Sequence, residues 1–308
     1  MAKILLARGS RGEIVRKVQR QLQSLSFDPQ GIDGRYGNNT DEAVSKFQQS
    51  HDLEPTGEVD VATWARLMSI PPPSVKDRSL QITAAFEGHD FTLAEGNYDG
   101  AGITWGVIGF TLLHGELVKI ILDIQKSNPD LVSQAFGAKT DELISVMNSS
   151  KARQIAFADS ISLGSDKVKL AEPWRSAFEK FGEIPEVQAL QLELADRDYF
   201  QPALQSAQDY GLKAELGLAL MMDTHVQNGG ISPSIRERIA KDLAQHSVKS
   251  EQELRVIIAN AVADDAKAEF REDVRARKLT IATGAGRVHQ EIFLLYAWGL
   301  DESPFEQN

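Results

Sequence analysis

Apolar side chains recur every three or four residues in the first part of the chain, at the spacing of short amphipathic helices. The pattern predicts one helix over residues 12–25 and two further helices that begin at Thr40 and Asp60. Both side chains are expected to be N-caps, because short polar groups accept hydrogen bonds from the first free amides of a helix. Residues 27–37 are dense in turn formers, which predicts an irregular loop. Three helices around one small core result, with the apolar stripe formed by Ile14, Val15, Val18, Leu22, Leu25, Ala43, Val44, Phe47, Trp64 and Leu67.

Three consecutive prolines at 71–73 divide the chain. Proline cannot continue a helix and holds an extended, semi-rigid backbone, so this segment predicts a domain boundary. We therefore expect a first domain over 1–70, a proline-rich linker over 71–79 and a second domain over 80–308.

The second domain has mainly helical patterns, so the predicted fold class is mainly α, with a lysozyme-like α+β second domain. The strand-like stretch lies between Phe91 and Thr104 and predicts one small β-sheet. Leu80–Glu87 predicts a short apolar helix that Gly88 closes. Further helices are expected at 117–124, 140–148, 151–162, 188–210 with an interruption at Pro202, 212–223, 233–244 and 251–278.

Charge and composition narrow the function classes. The chain has a net charge of −11, and because residues 1–70 are neutral, the second domain carries all of it. Such a balance disfavours nucleic-acid binding, which needs a basic surface. There is no apolar run long enough to span a membrane and no cysteine. The six histidines lack metal-ligand spacing, so we expect neither a metal nor a cofactor. Their positions are His51, His89, His114, His225, His246 and His289.

Two carboxylates, Glu87 and Asp99, stand on either side of a strand-forming segment. Hydrolysis of a glycosidic bond needs one acid that protonates the leaving oxygen and one carboxylate that activates water. Glu87 follows Phe86 and other apolar residues, which predicts partial burial and a raised pKa, as a general acid requires. Asp99 lies in a polar, glycine-rich turn beside Asn97, where backbone amides can keep it ionised. The Thr104 hydroxyl, five residues later, can orient a water molecule.

Other residues near this segment leave alternatives open. Trp105 can either stack on a pyranose ring or belong to the core, with equal weight. Glu95 and Asp90 are alternative second carboxylates if Asp99 is misplaced. Gly106 and Gly109 allow close approach of the backbone to a neighbour or to a sugar.

The first domain resembles the peptidoglycan-binding domain of cell-wall hydrolases, because several fixed spacings agree at once. The matching residues are Gly9, Val15, Gly31-Ile-Asp-Gly-Arg-Tyr-Gly37, Thr40, Ala43-Val44, Phe47-Gln48, Leu53, Thr56-Gly57, Val59 and Trp64. The resemblance implies bacterial cell-wall peptidoglycan as the binding partner. Asp33, Arg35 and Tyr36 are its candidate wall contacts.

The second domain resembles the family 46 chitosanases, inverting glycosidases of the lysozyme superfamily. The resemblance is carried by Phe86-Glu87, Asp99-Gly-x-Gly-x-Thr-x-Gly-Val-Ile-Gly-Phe110, Asp196-Arg-Asp-Tyr-Phe-x-Pro-Ala203, Leu216–Asp223 and Asn228-Gly229. It implies Glu87 as the general acid, Asp99 as the general base and Thr104 as the residue that positions water. Glu116 falls where the family has a carboxylate for a substrate amino group.

The same resemblance implies a charge network behind Asp99. Its members are Asp223, Arg277 (or Arg275) and Arg287. As substrate-binding residues we expect Glu116, Trp105 and Asn97.

Three functions follow from these observations. The first is an N-acetylmuramidase that cuts β-1,4 bonds in peptidoglycan, in the manner of phage endolysins or secreted antibacterial effectors. The second is a chitosanase, and the third is a wall-anchoring protein that has lost activity, which the joint presence of Glu87, Asp99 and Thr104 disfavours. We expect a monomer, made in the cytoplasm without a signal peptide. It would act in the periplasm or cell wall after release through a holin or a secretion system.

Overall fold

The computed structural model describes residues 2–88 and 90–305. His89 and the outermost ends of the two predicted domains lie outside the described residues. The chain is mostly helical with small antiparallel sheets, which confirms the predicted fold class. It forms two compact units: one joins residues up to Phe86 with the stretch from Asp198 onward, and the other is Glu87–Arg197. The domain boundaries expected from the sequence stay predictions.

The N-terminal part of the first unit contains the three expected helices. Its elements are strand β1 (Ile4–Leu6), helices α1 (Glu13–Ser24) and α2 (Asn38–Ser50), strand β2 (Val59–Asp60) and helix α3 (Val61–Leu67). Strands β1 and β2 pair in antiparallel fashion, a feature that the apolar pattern does not reveal. The helices close over one core, in which Val18, Phe47 and Trp64 are buried.

One of the two predicted N-caps is confirmed and the other is wrong. Asp60 accepts a hydrogen bond from the Thr63 amide at 2.7 Å and begins α3. Helix α2 begins two residues before Thr40, and the Thr40 side chain is buried within it. Its Oγ1 instead accepts a hydrogen bond from Gln19 Nε2 at 3.0 Å, because tertiary packing uses the hydroxyl that a cap would need.

Helix α4 (Val75–Glu87) is longer than the expected Leu80–Glu87. The residue before it, Ser74, exchanges hydrogen bonds with Asp77, which satisfies amides of the first turn. Gly88 follows the helix with a φ of 71°, the left-handed conformation of a C-cap, as predicted. The helix therefore starts directly after the three prolines and ends on Glu87.

The second unit, Glu87–Arg197, combines a three-stranded sheet, a two-stranded hairpin and a helical bundle. Its elements are strands β3 (Ala94–Glu95), β4 (Thr104–Trp105) and β5 (Phe110–Thr111), helices α5 (Glu116–Ser127), α6 (Pro129–Phe136), α7 (Thr140–Met147) and α8 (Lys151–Ile161), strands β6 (Ser162–Leu163) and β7 (Lys169–Leu170), and helices α9 (Trp174–Glu183) and α10 (Pro185–Ala195). The sheet order is β3-β4-β5, with all neighbours antiparallel. Helices α6 and α9 and the β6–β7 hairpin are additions to the predicted pattern.

The remainder of the first unit is helical, with a hairpin and a short 3-10 helix (Leu295–Trp298) near its C-terminal end. After a π-helical turn at Asp196–Phe200 come helices α11 (Gln201–Asp209), α12 (Glu215–Asn228), α13 (Pro233–Gln245), α14 (Glu251–Asp265) and α15 (Arg271–Thr283), and then strands β8 (Ala285–Val288) and β9 (Glu291–Leu294). The expected helix over 251–278 is broken between α14 and α15. The expected interruption at Pro202 falls earlier, in the π-helical turn, and Pro202 lies in the first turn of α11.

Within the first unit, the N-terminal segment around β1 and helix α4 contact the C-terminal part of the chain. The Ala7 amide donates to the Ala297 carbonyl at 3.0 Å. Lys3 Nζ lies 2.6 Å from Glu215 Oε2, and Arg78 Nη2 lies 2.8 Å from Glu215 Oε1. The side chains of Arg78 and Glu215 are both buried, so this ion pair is shielded from solvent. No helix among the described residues is long and apolar enough to cross a membrane.

Candidate active site

Glu87 is the last residue of α4, and its side chain is exposed. This corrects the expectation that apolar neighbours would desolvate the carboxyl. The preceding apolar side chains of α4, such as Phe86, turn inward and are buried, whereas Glu87 stands at the solvent-facing end of the helix.

Asp99 lies within the turn that joins β3 to β4, and Thr104 is the first residue of β4 after that turn. Asp99 is exposed, and its Oδ1 accepts a hydrogen bond from the Ala101 amide at 2.9 Å. A backbone amide on this carboxylate is what the sequence predicted. Thr104 begins β4, is 3 % exposed and pairs directly across the sheet with Glu95. Among the described residues, Thr104 Oγ1 has no hydrogen bond of regular geometry.

Electrostatics link these groups to one phenol. Burial raises the pKa of Tyr98, and so do the negative charges of Asp99, Glu95 and Glu87. The nearby Thr104 hydroxyl offsets part of this rise. Since Coulomb interactions weaken with distance, Tyr98 lies near all three carboxylates. The structure therefore brings the predicted acid, base and hydroxyl into one region.

Glu95 is the carboxyl in this region whose pKa is raised. Burial is the larger cause, and the charge of Asp99 adds to it. The sequence named Glu95 as an alternative second carboxylate if Asp99 were misplaced. In the structure Glu95 and Asp99 are neighbours, so Glu95 accompanies Asp99 and does not replace it. The other alternative, Asp90, accepts hydrogen bonds from the amide and hydroxyl of Thr92, which belong to a local turn.

Asn97 and Gln191 hold the glycine-rich segment in position. Asn97 Oδ1 accepts from the Gly102 amide at 2.9 Å, and its Nδ2 donates to Asp159 Oδ1 at 3.0 Å. Both ends of the predicted substrate-binding amide are thus bonded to protein. The buried Gln191 accepts from the Val107 amide and donates to the Phe91 carbonyl. Sequence reasoning missed Gln191, which lies 84 residues from Val107 along the chain.

Trp105 is part of the core, and the sugar-stacking interpretation is wrong. The side chain is 0 % exposed, and Nε1 donates to the Phe178 carbonyl at 3.0 Å. Its ring packs 5.5 Å from that of Phe181. Strand β4 turns Trp105 inward against α9, so the ring has no face left for a ligand.

Glu116 begins helix α5 and is half-buried. Its Oε2 accepts a hydrogen bond from the Thr111 amide at 3.3 Å, and Thr111 is the cross-strand partner of Thr104. The structure thus connects Glu116 to the sheet that carries Thr104, and its role toward substrate stays a prediction.

Asp223 lies in a fully buried ion network, as expected, but one of its partners differs. Arg277 Nη2 lies 2.7 Å from Asp223 Oδ1, and Lys278 Nζ lies 2.5 Å from Oδ2. Burial raises the pKa of Asp223, but the two cations outweigh it and lower the pKa to about 2. The alternative Arg275 binds Asp264 instead. Arg287 is wrong as a network member, because it is exposed on strand β8.

The network is tied to the helix that carries Glu87. The Arg277 guanidinium lies 5.1 Å from the ring centroid of Phe86, the residue before Glu87. The Phe86 ring also packs on Phe293 at 4.7 Å. Lys278, which the sequence did not single out, also donates to Gln227 at 2.8 Å. The described contacts therefore stabilise the end of α4, and the predicted support of Asp99 stays a prediction.

The three candidate wall contacts have different surroundings. Asp33 and Arg35 are exposed. Hydrogen bonds from Gln19 and the Arg35 amide hold the pKa of Asp33 below its usual value, although desolvation opposes them. Tyr36 is wrong as a wall contact, because it is 2 % exposed and its hydroxyl donates to the Gly57 carbonyl at 2.7 Å.

The part of the chain that the structure describes has no group of three or more histidine or acidic side chains arranged to hold a metal ion. What the region around Asp99 offers is acid–base chemistry. It combines two exposed carboxylates, a buried hydroxyl and a sheet that fixes the backbone between them.

Two family matches divide the chain. Residues 11–67 match the peptidoglycan binding domain family. Residues 82–272 match glycosyl hydrolase family 46, which covers more than half of the chain. The chain belongs to glycosyl hydrolase family 46. Glu87, Asp99, Thr104 and Asp223 all lie within the family 46 match.

Relatives of this family 46 hydrolase support the assignment. A chitosanase of Bacillus subtilis (strain 168) is 28% identical over 158 residues, which are 50% of this chain and 51% of that protein. An uncharacterized protein of Kitasatospora aureofaciens is 38% identical over 64 residues, 20% of this chain and 54% of that protein. The chain thus spans about half the length of these curated relatives.

Solved structures show the same fold. The native chitosanase from Bacillus subtilis MY002 has a TM-score of 0.52 and 22% identity, over 71% of this chain and 98% of that one. A mutant of that chitosanase, complexed with 6 GlcN, has a TM-score of 0.52 and 21% identity, again over 71% of this chain and 98% of that one. At these identities the likeness extends to the fold alone.

Proposed function

We propose that this family 46 hydrolase cleaves β-1,4 glycosidic bonds in the glycan strands of peptidoglycan, with inversion at the anomeric carbon. The observation that carries the choice of polymer is the peptidoglycan-binding domain and its packing. The segment just before that domain contacts the C-terminal part of the chain through the Lys3–Glu215 pair and the Ala7–Ala297 hydrogen bond, and Arg11 of the domain itself pairs with Glu291. The polymer that the domain binds is therefore the polymer that the hydrolase meets.

In the proposed reaction, protonated Glu87 gives its proton to the glycosidic oxygen as the bond from that oxygen to the anomeric carbon breaks. The electron pair of the bond stays on the leaving oxygen. Asp99 takes a proton from a water molecule that attacks the anomeric carbon from the opposite face. Thr104 accepts one hydrogen bond from that water and fixes its orientation. Each cleavage consumes one water molecule and forms one new reducing end and one new non-reducing end. Asp99 then releases its proton to solvent and Glu87 takes one up, which restores the starting state.

The surroundings of the two carboxylates support this division of roles. Asp99 accepts a hydrogen bond from the Ala101 amide on one oxygen, which fixes the position of the carboxylate that would act as the base. Glu87 is exposed in the free protein, so a bound glycan strand would itself exclude water from the carboxyl. Loss of water favours the protonated form, which a general acid needs.

A second candidate is hydrolysis of chitosan, which one specific observation favours. Glu87, Glu95, Asp99 and Glu116 are all acidic and belong to the same compact unit. A cluster of negative charge suits a cationic polymer such as chitosan. The relatives with a named activity are also called chitosanases.

The place of action is part of the same proposal. Peptidoglycan lies in the periplasm or cell wall, so we propose that the protein acts there after release through a holin or a secretion system. We also propose that it works as a monomer, because wall binding and hydrolysis are joined in one chain.

Purified sacculi and soluble chitosan, each digested with the same amount of full-length protein, separate the two candidates. We expect release of new reducing ends from sacculi, and slower release or none from chitosan. If chitosan is hydrolysed and the sacculi stay intact, the choice of polymer is reversed. If neither polymer is hydrolysed, both candidates are rejected.

A further inference from the structure

Tyr98 lies in the turn between β3 and β4, next to the candidate base. It directly precedes Asp99, and its amide donates to the Gly96 carbonyl at 3.0 Å, which fixes the backbone of the turn. The strands on either side pair Glu95 with Thr104. The phenol lies near both the candidate base Asp99 and Thr104, the residue that would position water.

The ring of Tyr98 is accessible, unlike the described phenylalanine and tryptophan rings of its unit. It is 46 % exposed. Between residues 87 and 197, every other described phenylalanine, tryptophan or tyrosine is buried: Phe91, Trp105, Phe110, Phe136, Phe157, Trp174, Phe178 and Phe181. Within the described part of this unit, Tyr98 thus offers the aromatic face that a ligand can reach.

The hydroxyl end of Tyr98 has a different environment from the ring. Burial, together with the charges of Asp99, Glu95 and Glu87, raises the pKa of the phenol. The hydroxyl therefore stays protonated across the neutral range and can donate a hydrogen bond toward a carboxylate. The Thr104 hydroxyl also interacts with the phenol, so the buried end of the side chain has protein neighbours while the ring stays accessible.

We propose that Tyr98 binds the sugar next to the scissile bond by packing its ring against the apolar face of that pyranose. One face of a pyranose carries mainly C–H groups, and covering them with an aromatic ring removes apolar surface from water. The inference rests on the proposed function in that the substrate is a β-1,4 glycan. It gives Tyr98 the role that the sequence offered to Trp105.

The inference is tested by measuring the affinity of the full-length Glu87→Gln variant for short glycans. This variant is used because it lacks the proposed general acid and should not hydrolyse the probe. The probes are a tetrasaccharide of alternating N-acetylglucosamine and N-acetylmuramic acid, and the glucosamine tetramer. The Kd is read from the NMR resonances of Thr104, which report on this region and not on the wall-binding domain. Tyr98→Ala and Tyr98→Phe are added in turn, with Tyr296→Ala as the control, because Tyr296 is 45 % exposed in the other unit.

We expect Tyr98→Ala to weaken binding at least about tenfold and Tyr98→Phe to stay within about threefold, since the ring is retained. Tyr296→Ala should leave the Kd unchanged. Equal affinity of Tyr98→Ala and its parent would overturn the inference, as would a parent that binds neither probe. If the glucosamine tetramer alone binds, and binding depends on Tyr98, the choice of peptidoglycan fails while the inference stands.

Discussion

At the residue scale, the candidate chemistry depends on one hydroxyl and two carboxylates that all lie near Tyr98. Asp99 is bonded to the Ala101 amide, and Glu87 ends its helix in solvent. Thr104 is buried, yet its Oγ1 makes no regular hydrogen bond among the residues that the structure describes. A hydroxyl can donate one hydrogen bond and accept two, so Thr104 keeps bonding capacity for a ligand besides its interaction with the Tyr98 phenol. We expect the attacking water to use that capacity.

Replacement of Thr104 tests this role. Thr104→Val keeps the shape and removes the hydroxyl, so we expect kcat to fall by about 10²-fold with little change in KM, because the water loses its orientation. Thr104→Ser keeps the hydroxyl and should retain most of the rate. Steady-state kinetics on a soluble glycan measure both.

Thr111→Val is the matched control, because Thr111 lies opposite Thr104 in the sheet and its hydroxyl bonds the His114 ring instead. It should change kcat far less than Thr104→Val. Equal rates for Thr104→Val and the wild type would reject the assignment.

The motif around Asp99 predicts which residues form the candidate site, but not which of them are buried. Glu87, Asp99 and Thr104 all lie near Tyr98, and their catalytic roles stay predictions. The expectations for Trp105 and Tyr36 failed, because a sequence pattern does not specify which way a side chain turns in a glycine-rich segment.

At the element scale, helices α12 and α15 are joined by a buried carboxylate with two cations. Arg277 and Lys278 contact Asp223 from consecutive positions on α15. Removing one charge from a buried pair leaves the others uncompensated, which is strongly destabilising. The Arg277 contact with Phe86 carries this dependence to α4.

Asp223→Asn should therefore lower the free energy of unfolding by about 3–5 kcal/mol at neutral pH. The folded pKa of Asp223, about 2, is below the ordinary 3.8, so the stabilisation is complete above the ordinary value and is lost as pH falls through the folded pKa. Urea unfolding of both proteins between about pH 7 and pH 2 measures the difference. If the difference in unfolding free energy between the wild type and Asp223→Asn does not become smaller below about pH 4, the account is contradicted.

Elements with a long apolar period were predictable, and the shortest ones were not. Helices α1, α5, α7, α8 and α13 begin and end within a few residues of their predicted bounds. Two-residue strands such as β6 and β7 are too short to show a period. The break between α14 and α15 depends on a turn in which the Phe270 amide donates to the Lys267 carbonyl, which the composition of 251–278 does not signal.

At the scale of the whole molecule, the proline segment is followed at once by a capped helix whose side chains bind the C-terminal part of the chain. Glu215 forms ion pairs both with Lys3, which directly precedes β1, and with Arg78 of α4. The sequence predicted the prolines as a spacer but not these contacts, because Arg78 and Glu215 are 137 residues apart.

Glu215→Gln tests whether the wall-binding domain is an integral part of its unit. We expect a loss of about 3–5 kcal/mol in the free energy of unfolding, because Arg78 stays buried without its counter-charge. Glu291→Gln is the control: its partner Arg11 also comes from the N-terminal domain, but Glu291 is exposed. Differential scanning calorimetry measures both variants. If both variants lose the same small amount of unfolding free energy, the buried Arg78–Glu215 pair does not stabilise the attachment of the wall-binding domain.

The most direct test of the central claim is digestion of sacculi by the wild type and by Glu87→Gln, with mass analysis of the released ends. Glu183→Gln is the control, because Glu183 is also an exposed residue at the end of a helix in the same unit. We predict N-acetylmuramic acid at the new reducing ends for the wild type and Glu183→Gln, and a rate at least about 10²-fold lower for Glu87→Gln. Release by Glu87→Gln at the wild-type rate would contradict the account.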